Sequence, residues 1–174
     1  NPALEIKVLV DFHRAQRGLI GAEKSEGNAS LYCDYLEKFQ SNVQVYGVPV
    51  KAKELFGVLH LKGFVIDDTL LYSGASINNV YLEYNDRYRL DRYFLVTQNA
   101  LCDAVIDFIE TTLLSSNAVP RIDSRPLPKL NDFRLDQKQL MRDLKTARYN
   151  SAELHNTQSL GIRLFLGLGR RNNG

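Results

Sequence analysis

The chain has 174 residues, a hydrophobic fraction of 44%, a charged fraction of 24% and a net charge of +2. That length supports a domain with a real core, and the composition is that of an ordinary soluble globular protein. So small a charge argues against a broad nucleic-acid-binding surface while leaving a local basic patch open, no apolar run approaches the ~18 residues that span a bilayer, and nothing resembles a signal peptide.

In chain order, Ile6 to Val10 is an apolar, β-branched run broken only by Lys7, and it reads as a buried strand. It delivers Asp11, His13, Arg14 and Arg17 at its carboxyl end, where ligands gather in open α/β sheets. The cluster reads equally as a second wall of a site or as a solvated loop. Residues 18–27 mix glycine with charge and read as a loop. From Asn28, a suitable N-cap, Leu31, Tyr32, Tyr35, Leu36 and Phe39 fall on one helical stripe and are predicted to be core. Cys33 and Cys102 lie outside any metal-ligand spacing and read as free buried thiols of a reducing compartment. Val43 to Val48 is the next strand, stopped by Pro49. Lys51, Lys53 and Glu54 then form a connection in which the lysines could meet lipid headgroups.

Residues 58–79 organise the rest. Two apolar, β-prone runs meet at the turn-forming Asp67-Asp68-Thr69, which predicts a hairpin. Strand alternation puts His60 and Lys62 on one side, and Ser76 and Asn78 form a second such pair on the returning run. An imidazole, an ammonium, a hydroxyl and an amide on one hairpin suit an anion with a nucleophile beside it. Asp67 has the opposite parity and is expected to tie down the turn. Residues 80–88 are polar and aromatic, a candidate acceptor-binding loop. Tyr93 to Val96 reads as a strand. Leu101, Ala104, Val105, Phe108, Ile109 and Leu113 follow at helical spacing, giving a helix packed on the sheet. From Ser115, Pro120, Pro126 and Pro128 punctuate a segment that reads as a linker, followed by an exposed helix over residues 132–148 and an apolar run over 160–168. The alternation of strands and helices predicts an α/β fold, a mixed β-sheet flanked by helices.

The series His60-x-Lys62, four residues, Asp67, six residues, Gly74 resembles the HKD motif of the phospholipase D superfamily. The family usually continues Gly-Ser-x-Asn, whereas this chain has Gly74-Ala75-Ser76-Ile77-Asn78, with Ser-x-Asn one residue late. Residues 11–17, 21–25, 72–81 and 88–93 are similar to the bacterial phospholipase D-like phosphatidylserine synthases. The resemblance runs over residues 1–115 and implies a phospholipase D-like half-domain with one HKD hairpin, the amino-terminal half of an enzyme. Residues 116–174 would then be a linker and the start of a second half whose partner motif is not present. His13 and His155 lack a lysine two residues on.

Phosphoryl displacement at a diester needs a nucleophile, an acid for the leaving oxygen and cations around the equatorial oxygens. An attacking imidazole must be neutral, and a neighbouring ammonium disfavours the imidazolium. The resemblance implies catalytic His60, Lys62 and Asp67, phosphate binding by Ser76 and Asn78, and substrate contacts from Asp11, His13, Arg14, Arg17 and Asn79. Arginines there suit a diphosphate because guanidinium meets phosphate oxygens in a bidentate way. It further implies CDP-diacylglycerol and L-serine as substrates, a phosphohistidine intermediate, no metal or other cofactor, and a second HKD half in missing sequence or another subunit. The expected location is cytoplasmic, peripheral to the inner face of an anionic membrane. The alternatives are a one-motif homodimeric nuclease or phosphodiesterase of the same superfamily, and a non-catalytic module with a decayed site.

Overall fold

In the computed structural model, residues 4–17, 27–39, 42–50, 59, 61–76, 79–83, 86 and 88–147 are described. They divide into two compact units. The first takes in the described residues up to Leu59 together with Glu110–Ala147, and the second runs from His60 to Ile109. Parallel and antiparallel strands flanked by helices make the chain α/β, with one sheet in each unit.

The first unit opens with β1 (Ile6–Asp11), α1 (Phe12–Ala15), α2 (Asn28–Phe39) and β2 (Val43–Val48). β1 and β2 are parallel, with Ile6 opposite Val43 and Asp11 opposite Val48. Parallel neighbours need a long crossover, here the stretch carrying the two helices. Gly27 is required where that crossover closes on itself, because a Cβ there would stand 2.6 Å from the Gln16 carbonyl carbon. Phe12 and Phe133 meet edge to face at 5.2 Å in the core, beside the fully buried Val48, Ile122 and Leu140.

Three expectations change here. The run beginning at Ile6 is not a buried strand along its length, for Ile6 and Val8 stay exposed and burial increases only toward Asp11. On α2 only part of the predicted stripe faces the core. Ala29 and Cys33 are buried with Tyr32 and Leu36 half-buried beside them, whereas Leu31, Tyr35 and Phe39 are exposed and Tyr35 stacks on Phe39. The small side chains let the helix approach closely, and the Cys33 Sγ reaches the Ile122 carbonyl oxygen at 3.7 Å. Finally, the proline-punctuated segment is not a linker. Gly47 N–H donates to the Pro120 carbonyl at 3.0 Å and Ile122 N–H to that of Val45 at 2.9 Å, so this segment lines the free edge of β2. The Asp123 carboxylate, its side chain wholly buried, accepts the Val45 N–H at 2.7 Å and a bidentate pair from Arg121 at 2.9 Å each. The carboxylate holds the Arg121 guanidinium further above its ordinary range. A π-helical turn (Ile109–Leu114), a 3-10 turn (Leu130–Phe133) and the helix we label α4 (Arg134–Thr146) complete this unit, with Gln137 buried and donating to the Pro49 carbonyl at 3.3 Å.

The second unit is a meander of β3 (Gly63–Ile66), β4 (Thr69–Ser73) and β5 (Tyr93–Thr97), followed by α3 (Asn99–Phe108). One sheet face carries Val65, Leu70, Tyr72 and Val96, which pack on Leu101, Cys102 and Val105 of the helix. The other face presents Phe64, Ile66, Tyr93 and Leu95, all exposed. Both cysteines are free and buried, and burial pushes both thiols up from their ordinary range.

Because Ile122 is a core residue and not part of a tether, Ile122→Ala is expected to cost about 2–5 kcal/mol in urea unfolding. A linker residue would move the midpoint hardly at all, so an unchanged midpoint would contradict this packing.

Candidate functional site

The hairpin predicted around the HKD series is present, with register Gly63–Tyr72, Phe64–Leu71, Val65–Leu70 and Ile66–Thr69. Its turn is the two-residue Asp67-Asp68, with Asp67 at φ 52°. A left-handed residue in a two-residue loop matches the twist of the strands it joins, and Asp tolerates that conformation. Asp67 therefore sits at the exposed tip, about 16 Å along the strand from Lys62 at ~3.3 Å per residue. It shapes the turn and stands away from the lysine.

Pairing extends one step past β3, because the Lys62 carbonyl accepts the Ser73 N–H at 3.2 Å. That bond fixes the parity of Lys62. It shares the face of Phe64 and Ile66, the one turned away from α3. Its Nζ donates to the Gly74 carbonyl oxygen at 2.6 Å. The ammonium is thus held at the open end of the hairpin, with two further N–H donors in hand. Ser73 is buried and its Oγ accepts the Ala75 N–H at 2.9 Å, turning the chain toward Ser76. Ser76 is half-buried and Asn79 is exposed in the next turn. His60 and Asn78 lie outside the described residues, as do Lys51, Lys53, Glu54, His155 and the run over 160–168.

One glycine is needed for this geometry, and a second leaves room for a neighbouring carboxylate. At Gly63 a Cβ would collide with the Leu71 carbonyl oxygen, backbone against backbone. At Gly74 a Cβ would stand 2.9 Å from Oδ1 of Asp91, so this carboxylate packs directly over the glycine whose carbonyl takes the lysine. Asp91 also accepts the Arg92 N–H at 2.7 Å. Sequence reasoning did not single Asp91 out, and the available signal was its place in the Tyr88–Tyr93 stretch. The loop before it is closed by Arg89 N–H on the Val80 carbonyl at 2.7 Å, and exposes Leu82, Tyr88 and Leu90.

The predicted second cluster lies in the first unit. His13 meets Phe12 edge to face at 5.7 Å, and Arg14 is exposed on the single turn of α1. Asp11 differs from expectation. It is buried, and its two carboxylate oxygens accept backbone N–H groups of this chain, Arg14 at 2.9 Å and Leu59 at 2.8 Å. Its acceptors are engaged internally, so it is a bridge in the fold and not a free substrate contact. Among the described residues no group of three or more His, Cys, Asp or Glu side chains is placed to hold a metal, and no helix is long and apolar enough to cross a membrane.

No protein-family model matches the chain. It is 43% identical over 180 aligned positions to the CDP-diacylglycerol–serine O-phosphatidyltransferase of Haemophilus influenzae, an alignment covering 99% of this chain and 39% of that protein. It is 40% identical to the enzyme of the same name from Escherichia coli, covering 97% of this chain and 38% of that one. A crystal structure of phosphatidylserine synthase from Haemophilus influenzae superposes with a TM-score of 0.76 at 47% identity, over 83% of this chain and 32% of that one. The chain spans about two fifths of the length of the curated relatives it matches.

The two glycines are expected to respond differently to alanine. Gly63→Ala forces backbone apart and should cost about 1–3 kcal/mol in equilibrium unfolding. Gly74→Ala meets the end of a side chain that can swing away, so it should cost well under ~1 kcal/mol. Equal costs would contradict the hairpin geometry described.

Proposed function

Close homologues of this chain are phosphatidylserine synthases, and from that premise we propose that it is part of a phosphatidyltransferase. The whole enzyme would make phosphatidylserine from CDP-diacylglycerol and L-serine and release CMP. The observation that carries this reading is Lys62, its ammonium held on the Gly74 carbonyl at the open end of the HKD hairpin. A cation fixed by one hydrogen bond and still able to donate two more is preorganised for non-bridging phosphate oxygens.

In the proposed first step, the imidazole of one HKD histidine attacks the phosphorus that carries diacylglycerol. The P–O bond to CMP breaks, and the partner histidine gives the leaving oxygen its proton. In the second step the serine hydroxyl loses its proton to that partner and attacks the same phosphorus, breaking the P–N bond. His60 is one of the two histidines, and Ser76 and Asn78 join Lys62 around the phosphate. Asp91, packed over Gly74, is the carboxylate we assign to hold the imidazole tautomer, a task carboxylates commonly perform beside histidine. The second motif would come from polypeptide beyond this stretch or from another subunit. Arg14 and Arg17 are assigned to the diphosphate because their forked donors suit it. The donor is a lipid, so the enzyme would meet its substrate peripherally at an anionic membrane surface, on the cytoplasmic side.

The test uses the full-length enzyme. His60→Ala and Lys62→Ala are each expected to lower serine-dependent CMP release by at least ~10³-fold, from loss of the nucleophile or of a major charge-stabilising donor. Serine-dependent release that survives His60→Ala within tenfold would overturn the assignment. Cleavage of DNA or RNA with indifference to serine would replace it by the nuclease reading.

A further inference from the structure

Helix α2 is apolar on two sides. Ala29 and Cys33 face the core of the first unit, with Tyr32 and Leu36 half-buried beside them. Leu31, Tyr35 and Phe39, spaced at i, i+4 and i+8, form a separate stripe that is 49%, 55% and 59% exposed. The rings of Tyr35 and Phe39 stack at 5.9 Å with 20° between their planes, and Lys38 Nζ stands 5.2 Å from the Phe39 ring centre. Single apolar side chains on a surface are ordinary, but a row of three is a contiguous patch. A helix apolar on both sides is suited to be covered on both.

Area and charge separate the possible occupants. Three side chains about half exposed offer on the order of 300–400 Å². A stable dimer takes about 800 Å² from each partner, so a second copy seated on this stripe alone falls short. A lipid surface fits no better. The charged residues of α2 are Asp34, Glu37 and Lys38, whereas helices that lie on anionic membranes carry an excess of lysine and arginine. A segment of the same polypeptide escapes both objections, because tethering raises its effective concentration and a small apolar patch then suffices. The relatives have the length for it, since this chain covers 39% and 38% of theirs.

We propose that the stripe of Leu31, Tyr35 and Phe39 seats a segment of the same polypeptide lying outside these 174 residues. That segment is apolar at its centre and carries a lysine or arginine at its edge. The rim of the stripe dictates the second feature. Asp34 is engaged by Arg125 at 2.7 Å, whereas Glu37 is 82% exposed and only 3.9 Å contact ties it to the same guanidinium. The proposal requires a polypeptide longer than this stretch and is independent of the chemistry assigned to the hairpin.

The test places the photo-crosslinker p-benzoylphenylalanine at position 35 of the full-length enzyme, which keeps an aromatic ring there. After irradiation the product is sized by denaturing electrophoresis and mapped by mass spectrometry. The expected product is a crosslink within one chain, joining position 35 to a peptide outside the 174 residues. A product of twice the chain mass would overturn the proposal in favour of a second copy. A lipid adduct formed only with phosphatidylglycerol vesicles would overturn it in favour of a membrane, and a crosslink to a peptide within the 174 residues would also overturn it. Glu37→Lys is expected to lower the yield of the internal crosslink at least ~2-fold, and an unchanged yield would overturn the basic edge. Phe39→Cys supplies a second measurement, with maleimide labelling at that position expected to be at least ~10-fold slower in the native enzyme than in urea. Equal rates would show the stripe bare and overturn the proposal.

Discussion

The hydrogen bond from Lys62 Nζ to the Gly74 carbonyl depends on the register of the hairpin. With Gly63 opposite Tyr72, the lysine falls level with Ser73 and its ammonium reaches the next carbonyl. A slip by one residue would turn every side chain of β3 to the other sheet face and send the ammonium into the apolar cluster around Leu70 and Val105. Burial of that cluster therefore enforces the position of the cation. The two-residue turn with a left-handed Asp67 closes the register at one end, and the absence of a Cβ at Gly63 permits it at the other.

A comparable economy governs the first unit. Two buried acidic residues tie distant segments to the parallel sheet, one at the carboxyl end of β1 and one in the middle of β2. Asp11 joins the end of β1 to Leu59, and Asp123 joins the returning segment to Val45. Asp123 satisfies a buried backbone donor that would otherwise lack a partner, a loss that costs about 1–3 kcal/mol. Among the described residues no buried side-chain nitrogen or oxygen lacks a partner. These ties draw on segments far apart in sequence.

That distance explains what could be read in advance. The HKD hairpin was legible because turn chemistry, β-propensity and strand alternation act over neighbouring residues. Both strands, the Asp67-Asp68 turn and the helix beginning near Leu101 follow from them. The burial of α2 was not legible, since Leu31, Tyr35 and Phe39 form as apolar a stripe as any core face. What decided the matter was the close approach that Ala29 and Cys33 allow. Nor could prolines at 120, 126 and 128 distinguish a tether from a segment laid along the edge of β2. At the hairpin, Lys62 could be named from its spacing, whereas Asp91 depends on a contact across 17 positions.

The proposed chemistry would use this fixed ammonium in a covalent relay through a histidine. The most direct measurement is to mix the full-length enzyme with CDP-diacylglycerol labelled at the phosphatidyl phosphorus, without serine, quench in base and map the label by mass spectrometry. The account predicts an acid-labile, base-stable phosphatidyl adduct on an HKD histidine, formed in step with CMP and discharged when serine is added. Label absent from histidine while CMP and phosphatidylserine still form at the normal rate would contradict it.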